Sequence, residues 1–128
     1  MRYRLDTHSF LWFITGDSRL SQTARVLIEN RTHSIFVSVA CLWEIAIKSS
    51  LGKLTLTQPY EILIPDQLSR NEIALLPITV NHLSCLSLLP YHHRDPFDRL
   101  IIAQSQMEAL PVITRDTLFD QYDITVLW

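Results

Sequence analysis

The chain has 128 residues, 48 % of them hydrophobic, and a formal net charge of −2. That is one domain's length with ample apolar material for a core, which excludes a disordered polypeptide and a disulfide- or metal-stapled miniprotein. The charge excludes a broad basic surface for nucleic acid, though a nuclease can attract phosphate with a metal centre and a few local cations.

Arg2 to Asp6 reads as a short strand ending on Asp6. Thr7 or Ser9 then caps a helix through Phe10, Leu11, Trp12 and Ile14, stopped by Gly16 and Asp17. Ser21 opens a second helix with Ala24, Leu27 and Ile28 on one side. Ile35 to Val37 is the next strand, and Ser38 is the N-cap of VACLWEIAIKSSLGKL. Its expected apolar face holds Val39, Leu42, Trp43, Ala46 and Ile47, and Gly52 suits its C-terminus. Pro59 begins a helix with Ile62, Leu63 and Leu68, which Pro65 interrupts. Ile73 to Pro77 is a third strand, and Thr79 caps a helix through Leu83, Leu86 and Leu89. A loop with Pro and His follows. Asp95 then caps a helix with Pro96 in its first position. Val112 to Thr114 is a fourth strand leading to Asp116. Leu118 and Phe119 lie in a short helix and Ile124 to Leu127 in a last strand. Strands alternating with helices predict an α/β domain, residues 1–128, with a mainly parallel sheet covered on both faces.

Four acids stand in this apolar company: Asp6, Glu44, Asp98 and Asp116. A lone ionised carboxylate in a core is unfavourable by several kcal/mol or more, so four of them call for a shared partner. Parallel sheets bind ligands beyond the carboxyl ends of their strands, where Asp6 and Asp116 both fall. Asp98 lies in the first turn of its helix and Glu44 in the second turn of another, so all four reach one rim if those turns face it. Crowded carboxylates repel one another, and Mg²⁺ or Mn²⁺ removes the conflict with hard oxygen ligands. Such an ion acidifies water and stabilises charge on phosphate, which fits phosphodiester hydrolysis. Each acid also has a plainer reading. Asp6 and Asp116 suit helix caps, Glu44 suits a pair with Lys48 one turn on, and Asp98 suits the helix dipole or Arg94 and Arg99.

Asp95 reads first as a cap, with a ligand role left open. Lys48, Lys53, Arg94, Arg99 and Arg115 are candidate phosphate contacts. His92 and His93 are adjacent and lack zinc spacing, so they read as a polar loop. His8 reads as an exposed helix start, and Trp12, Trp43 and Phe97 as core or interface. Cys41 and Cys85 read as reduced buried thiols. The N-terminus lacks a signal-peptide cleavage pattern and no apolar run is long enough to span a bilayer, so a cytosolic protein is expected.

LDTHSFLW, SVACLWEIAIKSSLGKL, HRDPFDRLIIAQS and TRDTLFDQYDITVLW, taken in this order, resemble the PIN-domain ribonucleases, specifically the VapC-type toxins of bacterial type II toxin–antitoxin modules. The resemblance implies a three-layer α/β/α sandwich and a Mg²⁺- or Mn²⁺-dependent endoribonuclease acting on RNA. It implies Asp6, Glu44, Asp98 and Asp116 as the catalytic, metal-holding acids, with Thr114 as a supporting hydroxyl. It further implies a homodimer and a small antitoxin, which inserts a C-terminal segment into the active-site groove and binds operator DNA through its own N-terminal domain. A dehalogenase-like phosphatase is the enzyme rival, but it needs a second Asp where His8 stands. A PIN-like scaffold that binds RNA or protein without cutting is the rival of another class.

Overall fold

The computed structural model describes all 128 residues. Its elements, in chain order, are β1 (Arg2–Leu5), α1 (Thr7–Thr15), α2 (Gln22–Glu29), β2 (Ser34–Ser38), α3 (Val39–Ser50) and α4 (Tyr60–Arg70). Then follow β3 (Ile73–Leu76), α5 (Val80–Ser87), α6 (Pro96–Glu108), β4 (Val112–Ile113), a 3-10 turn over Thr117–Gln121, and β5 (Val126–Leu127). The five strands form one sheet in the order β3-β2-β1-β4-β5. Every pairing is parallel, with Leu5 opposite both Val37 and Ile113.

From β1 the chain steps outward to β2 and β3, then returns to the opposite side for β4 and β5. Helices cover both faces of the sheet, the three-layer α/β/α arrangement, and α3 reaches α6 through Trp43 and Phe97 as well as α1 through Glu44 and Thr7. The reversal of direction falls between β1 and β4. There the crossovers diverge and leave a crevice at the carboxyl edge of the sheet. Leu5, Val37, Val112 and Ile113 are fully buried, as strands covered on both faces must be.

Side-chain caps hold the helix starts that face this edge. Asp6, not Thr7 or Ser9, caps α1 by accepting the Ser9 amide. Ser38 caps α3 and Asp95 caps α6 with Pro96 in the first turn. At the end of α3, Gly52 takes φ +71, a left-handed conformation that favours glycine, and the Lys53 and Leu54 amides fold back onto the Lys48 carbonyl.

Three expectations need correction. Helix α3 does not bury the Val39–Trp43 side. Cys41, Leu42, Glu44 and Ile45 are buried, whereas Trp43 is 58 % exposed and packs edge-on against Phe97 of α6. Its sequence is apolar almost all round, so periodicity alone does not fix its inner face. Pro65 does not break α4, because it lies on an exposed position and the missing hydrogen bond falls on the solvent side. The residues around His93 are not simply a polar loop, since His93 itself is buried.

One buried cation lies under the crevice. Arg4 of β1 is 0 % exposed, and one guanidinium nitrogen donates to the Ile101 carbonyl and to Gln104 Oε1, both at 3.2 Å. Its Nε and other terminal nitrogen have no partner. Burial lowers its pKa, partly opposed by the nearby Cys41 and Asp6.

Candidate active site

Asp6 leaves the central strand β1 at the crevice and is only 6 % exposed. Its Oδ1 accepts the Ser9 amide at 2.9 Å, and its Oδ2 accepts the Thr114 hydroxyl at 2.7 Å. The Ser9 hydroxyl in turn donates to the Ile113 carbonyl of β4 at 2.9 Å, which ties the start of α1 to the neighbouring strand. Asp6 is therefore both a helix cap and a member of the rim.

Thr114 links two acids. While its hydroxyl donates to Asp6, its Oγ1 accepts the Asp116 amide at 3.0 Å. Asp116 begins the 3-10 turn, with Oδ1 accepting the Leu118 amide at 2.9 Å. Its Oδ2 meets His93 Nε2 at 2.9 Å. With Asp116 ionised, Nε2 is the donor, and the imidazole orients the carboxylate rather than offering it a lone pair. Phe119 and Tyr122 hold the ring, and the His93 amide donates to the Tyr122 hydroxyl at 2.9 Å.

Glu44 enters from α3, 5 % exposed. Its Oε1 accepts the Thr7 hydroxyl and its Oε2 accepts the Lys48 ammonium, each at 2.7 Å. The expected helical pair with Lys48 exists, but its acid is buried. The contact with Glu44 raises the Lys48 pKa, and Asp95 and Asp98 add to the effect.

Asp98, half-buried in the first turn of α6, differs from the others. Its pKa is pushed up to about 7, first by burial and then by the charges of Asp95, Glu44, Asp6 and Asp116. Every one of these influences disfavours its charge. Its carboxylate oxygen, one from Asp116 and a His93 ring nitrogen lie within 4.8 Å of one another. The other three predicted acids thus all act on Asp98, although Asp6 and Glu44 are outside that tightest group. Asp95 caps α6 by accepting the Phe97 and Asp98 amides and adds negative charge beside them.

The predicted cations divide. Arg115 lines an open depression of about 440 Å³ together with Asp6, His8, Trp12, Asp116 and Thr117. Lys53 and Arg94 are exposed. Arg99 cannot serve as a phosphate contact. It is buried, and its guanidinium donates to the carbonyls of Leu86, Leu89, Pro90 and His93. It adds donors to the carbonyls of this loop, of which Leu86 and Pro90 also accept from the Leu89 amide and the Tyr122 hydroxyl.

A carboxylate set with an acid driven toward neutrality by burial and by neighbouring acids fits a hard divalent cation, which takes oxygen ligands and offsets the excess charge. Sequence reasoning missed two members of this arrangement. His93 sits 23 residues from Asp116 with no local pattern joining them. Arg4 alternates with two buried strand neighbours, Tyr3 and Leu5, and only its place in the central strand signals burial.

The sequence profile of the PIN domain matches residues 3–124, and the chain belongs to the PIN domain family. Ribonuclease VapC16 of Mycobacterium tuberculosis (strain ATCC 25618 / H37Rv) is 36 % identical over 58 residues, a match covering 45 % of this chain and 40 % of that relative. Among solved structures, VapBC2 from Rickettsia felis, bound to a DNA fragment from their promoter, superposes with a TM-score of 0.72 at 16 % identity. That match covers 99 % of this chain and 98 % of the other. FitAcB from Neisseria gonorrhoeae gives 0.65 at 18 % identity, covering 100 % and 97 %. VapBC-5 from Mycobacterium tuberculosis, a member of the VapBC family of toxin-antitoxin systems, gives 0.60 at 22 % identity, covering 98 % and 95 %. At these identities the structural matches speak to the fold, which agrees with the three-layer sandwich.

Proposed function

We propose that this chain is a Mg²⁺- or Mn²⁺-dependent endoribonuclease that acts as the toxin of a type II toxin–antitoxin pair, with its 128 residues working as one PIN domain. The observation that carries the catalytic half is Asp98, whose carboxyl is held near neutrality by burial and four neighbouring acids. The toxin half rests on family membership and on the VapC and VapBC names of its relatives.

Asp6 and Asp98 are the direct cation ligands, and Glu44 and Asp116 complete the set, directly or through water. The bound cation supplies Lewis-acid stabilisation of phosphate charge and acidifies water. The remaining work falls to the chain's own groups. The Thr114 hydroxyl and the Ser9 amide fix both oxygens of Asp6, so its lone pairs aim in set directions. His93 and the Leu118 amide do the same for Asp116. Glu44, between Thr7 and Lys48, is the acid best placed to orient an attacking water. Arg115 and Arg94 attract the RNA backbone toward the crevice.

The partners that follow are RNA as substrate, a cognate antitoxin and a second copy of this chain, with operator DNA reached only through the antitoxin. No helix is long and apolar enough to cross a membrane, and we place the protein in the cytosol. The test is an RNA-cleavage assay of chain freed of any partner. Cleavage with Mg²⁺ or Mn²⁺, its loss in EDTA, and its loss in Asp6→Asn are expected. Partner binding with no cation affinity and no cleavage would replace the enzyme by a PIN-like scaffold.

A further inference from the structure

A second cleft adjoins the acidic crevice and is not explained by metal binding. It holds about 370 Å³ and runs between α1 and the segment that ends α3. One wall is His8, Trp12 and Arg19; the other is Lys48, Lys53 and Leu54. His8 and Trp12 line both this cleft and the open depression that contains Asp6 and Asp116, so the two spaces share a wall. Thr7 lines the cleft and donates to Glu44 at 2.7 Å, which fixes how near the cleft lies to the acids.

The chemistry of the two walls differs. On one, the Arg19 guanidinium lies 5.0 Å from the centre of the Trp12 ring, and the His8 ring lies 5.6 Å from Trp12 at a tilt of 36°. Arg19 is itself held by Asp17 at 2.7 Å, so this is a built surface of flat π-systems. Unstacked bases bind such surfaces by stacking on aromatic rings and guanidinium planes. On the other wall, Lys53 is exposed, and its place is set by the bonds of the Lys53 and Leu54 amides to the Lys48 carbonyl. Lys48 reaches Glu44 with its ammonium while its stem lines the cleft. A flat wall facing the Lys53 ammonium matches a base and its phosphate.

We infer that this cleft is a nucleotide subsite, where a base next to the scissile phosphate of single-stranded RNA stacks against the His8–Trp12–Arg19 wall and its phosphate meets Lys53. The inference rests on the ribonuclease reading and adds to it the part of the chain that selects unpaired RNA. Trp12, expected as core or interface, does pack partly buried against the core, and it also lines both spaces.

The experiment measures the affinity of a short fluorescent single-stranded RNA by anisotropy, in the full chain carrying Asp98→Asn so that nothing is cut. Trp12→Leu and Lys53→Glu are compared in that background. Mn²⁺ affinity is measured by calorimetry for the same two substitutions with Asp98 restored. Trp12→Leu is expected to weaken RNA binding about tenfold, as loss of a stacking platform does. Lys53→Glu is expected to weaken it about fivefold and to steepen in low salt. Both should leave Mn²⁺ affinity unchanged. Lys53 is on an exposed loop, so its variant reads out the subsite even if Trp12→Leu fails to fold. RNA affinity unchanged by Lys53→Glu and by any folded Trp12→Leu overturns the subsite and leaves the ribonuclease reading standing. Absence of both RNA and Mn²⁺ binding in the parent chains overturns both.

Discussion

Two corners of the crevice handle negative charge in opposite ways. At the β1–β4 corner, Asp6 and Asp116 are met by protein donors on both oxygens: Ser9 and Thr114 for one, Leu118 and His93 for the other. At the start of α6, Asp98 is surrounded by burial and by other acids, and its pKa stands near 7. The first corner is complete without an ion. The second is a deficit that an ion would fill. The fold thus uses its hydrogen bonds to fix some carboxylates and leaves one charge uncompensated, which under the proposed function would separate positioning from affinity within a single site.

The largest expected effect treats the two corners alike. Asp6→Asn and Asp98→Asn should each lower RNA cleavage by at least about 100-fold, because under the proposed function each would remove a negative ligand from the cation. A steady-state cleavage assay checks this, and near-normal rates in either variant break the comparison at the level of chemistry.

Stability should then set the corners apart. An acid whose folded pKa lies above its ordinary value of 3.8 holds a proton in the folded chain that the unfolded chain has released. Between about pH 4 and 7 the folded state binds more protons, so metal-free stability falls as pH rises through that window and levels off above it. Asp98→Asn should flatten this slope and raise metal-free stability at pH 8 by roughly 2 kcal/mol. Asp6→Asn, which keeps a good cap, should lower it by about 1 kcal/mol through loss of the carboxylate oxygen that accepts the Thr114 hydroxyl. Urea titrations across pH, with and without EDTA, separate the two. Added Mn²⁺ should raise the unfolding temperature of the natural chain at pH 8 and do little for Asp98→Asn.

A smaller effect tests the hydrogen-bonded corner. Thr114→Val keeps the shape but removes the donor to Asp6 and the acceptor for the Asp116 amide. Cleavage should fall about tenfold and stability by about 1–2 kcal/mol, with Mn²⁺ affinity reduced less than in Asp98→Asn. The smallest effect is at Lys48. Its ammonium is half in solvent, so Lys48→Met should change stability by less than about 1 kcal/mol despite the short contact to Glu44. A larger loss would mean that Glu44 depends on this partner rather than on Thr7.

Much of the architecture was legible because its signals are local. Strand, cap and apolar helix succeed one another, and Asp95-Pro96 marks the start of α6 in two residues. The four acids were legible because each interrupts or ends an apolar run. Features set by distant contacts were not. The inner face of α3 is chosen by packing, since an all-round apolar helix carries no periodic preference. Arg99 and Arg94 look equivalent in sequence, yet Arg99 turns inward and donates to the carbonyls of Leu86, Leu89, Pro90 and His93, a set of contacts with no local sequence signal. His93 reads as half of a polar doublet until Tyr122 and Asp116, far along the chain, close around it.

The central claim concerns Asp98, and its side-chain carboxyl can be followed by carbon-13 NMR as pH is varied, without and then with Mg²⁺. A midpoint near pH 7 is expected in the metal-free chain, with a shift to well below the ordinary carboxylate range when the cation is present. An ordinary midpoint that ignores Mg²⁺ would contradict the claim.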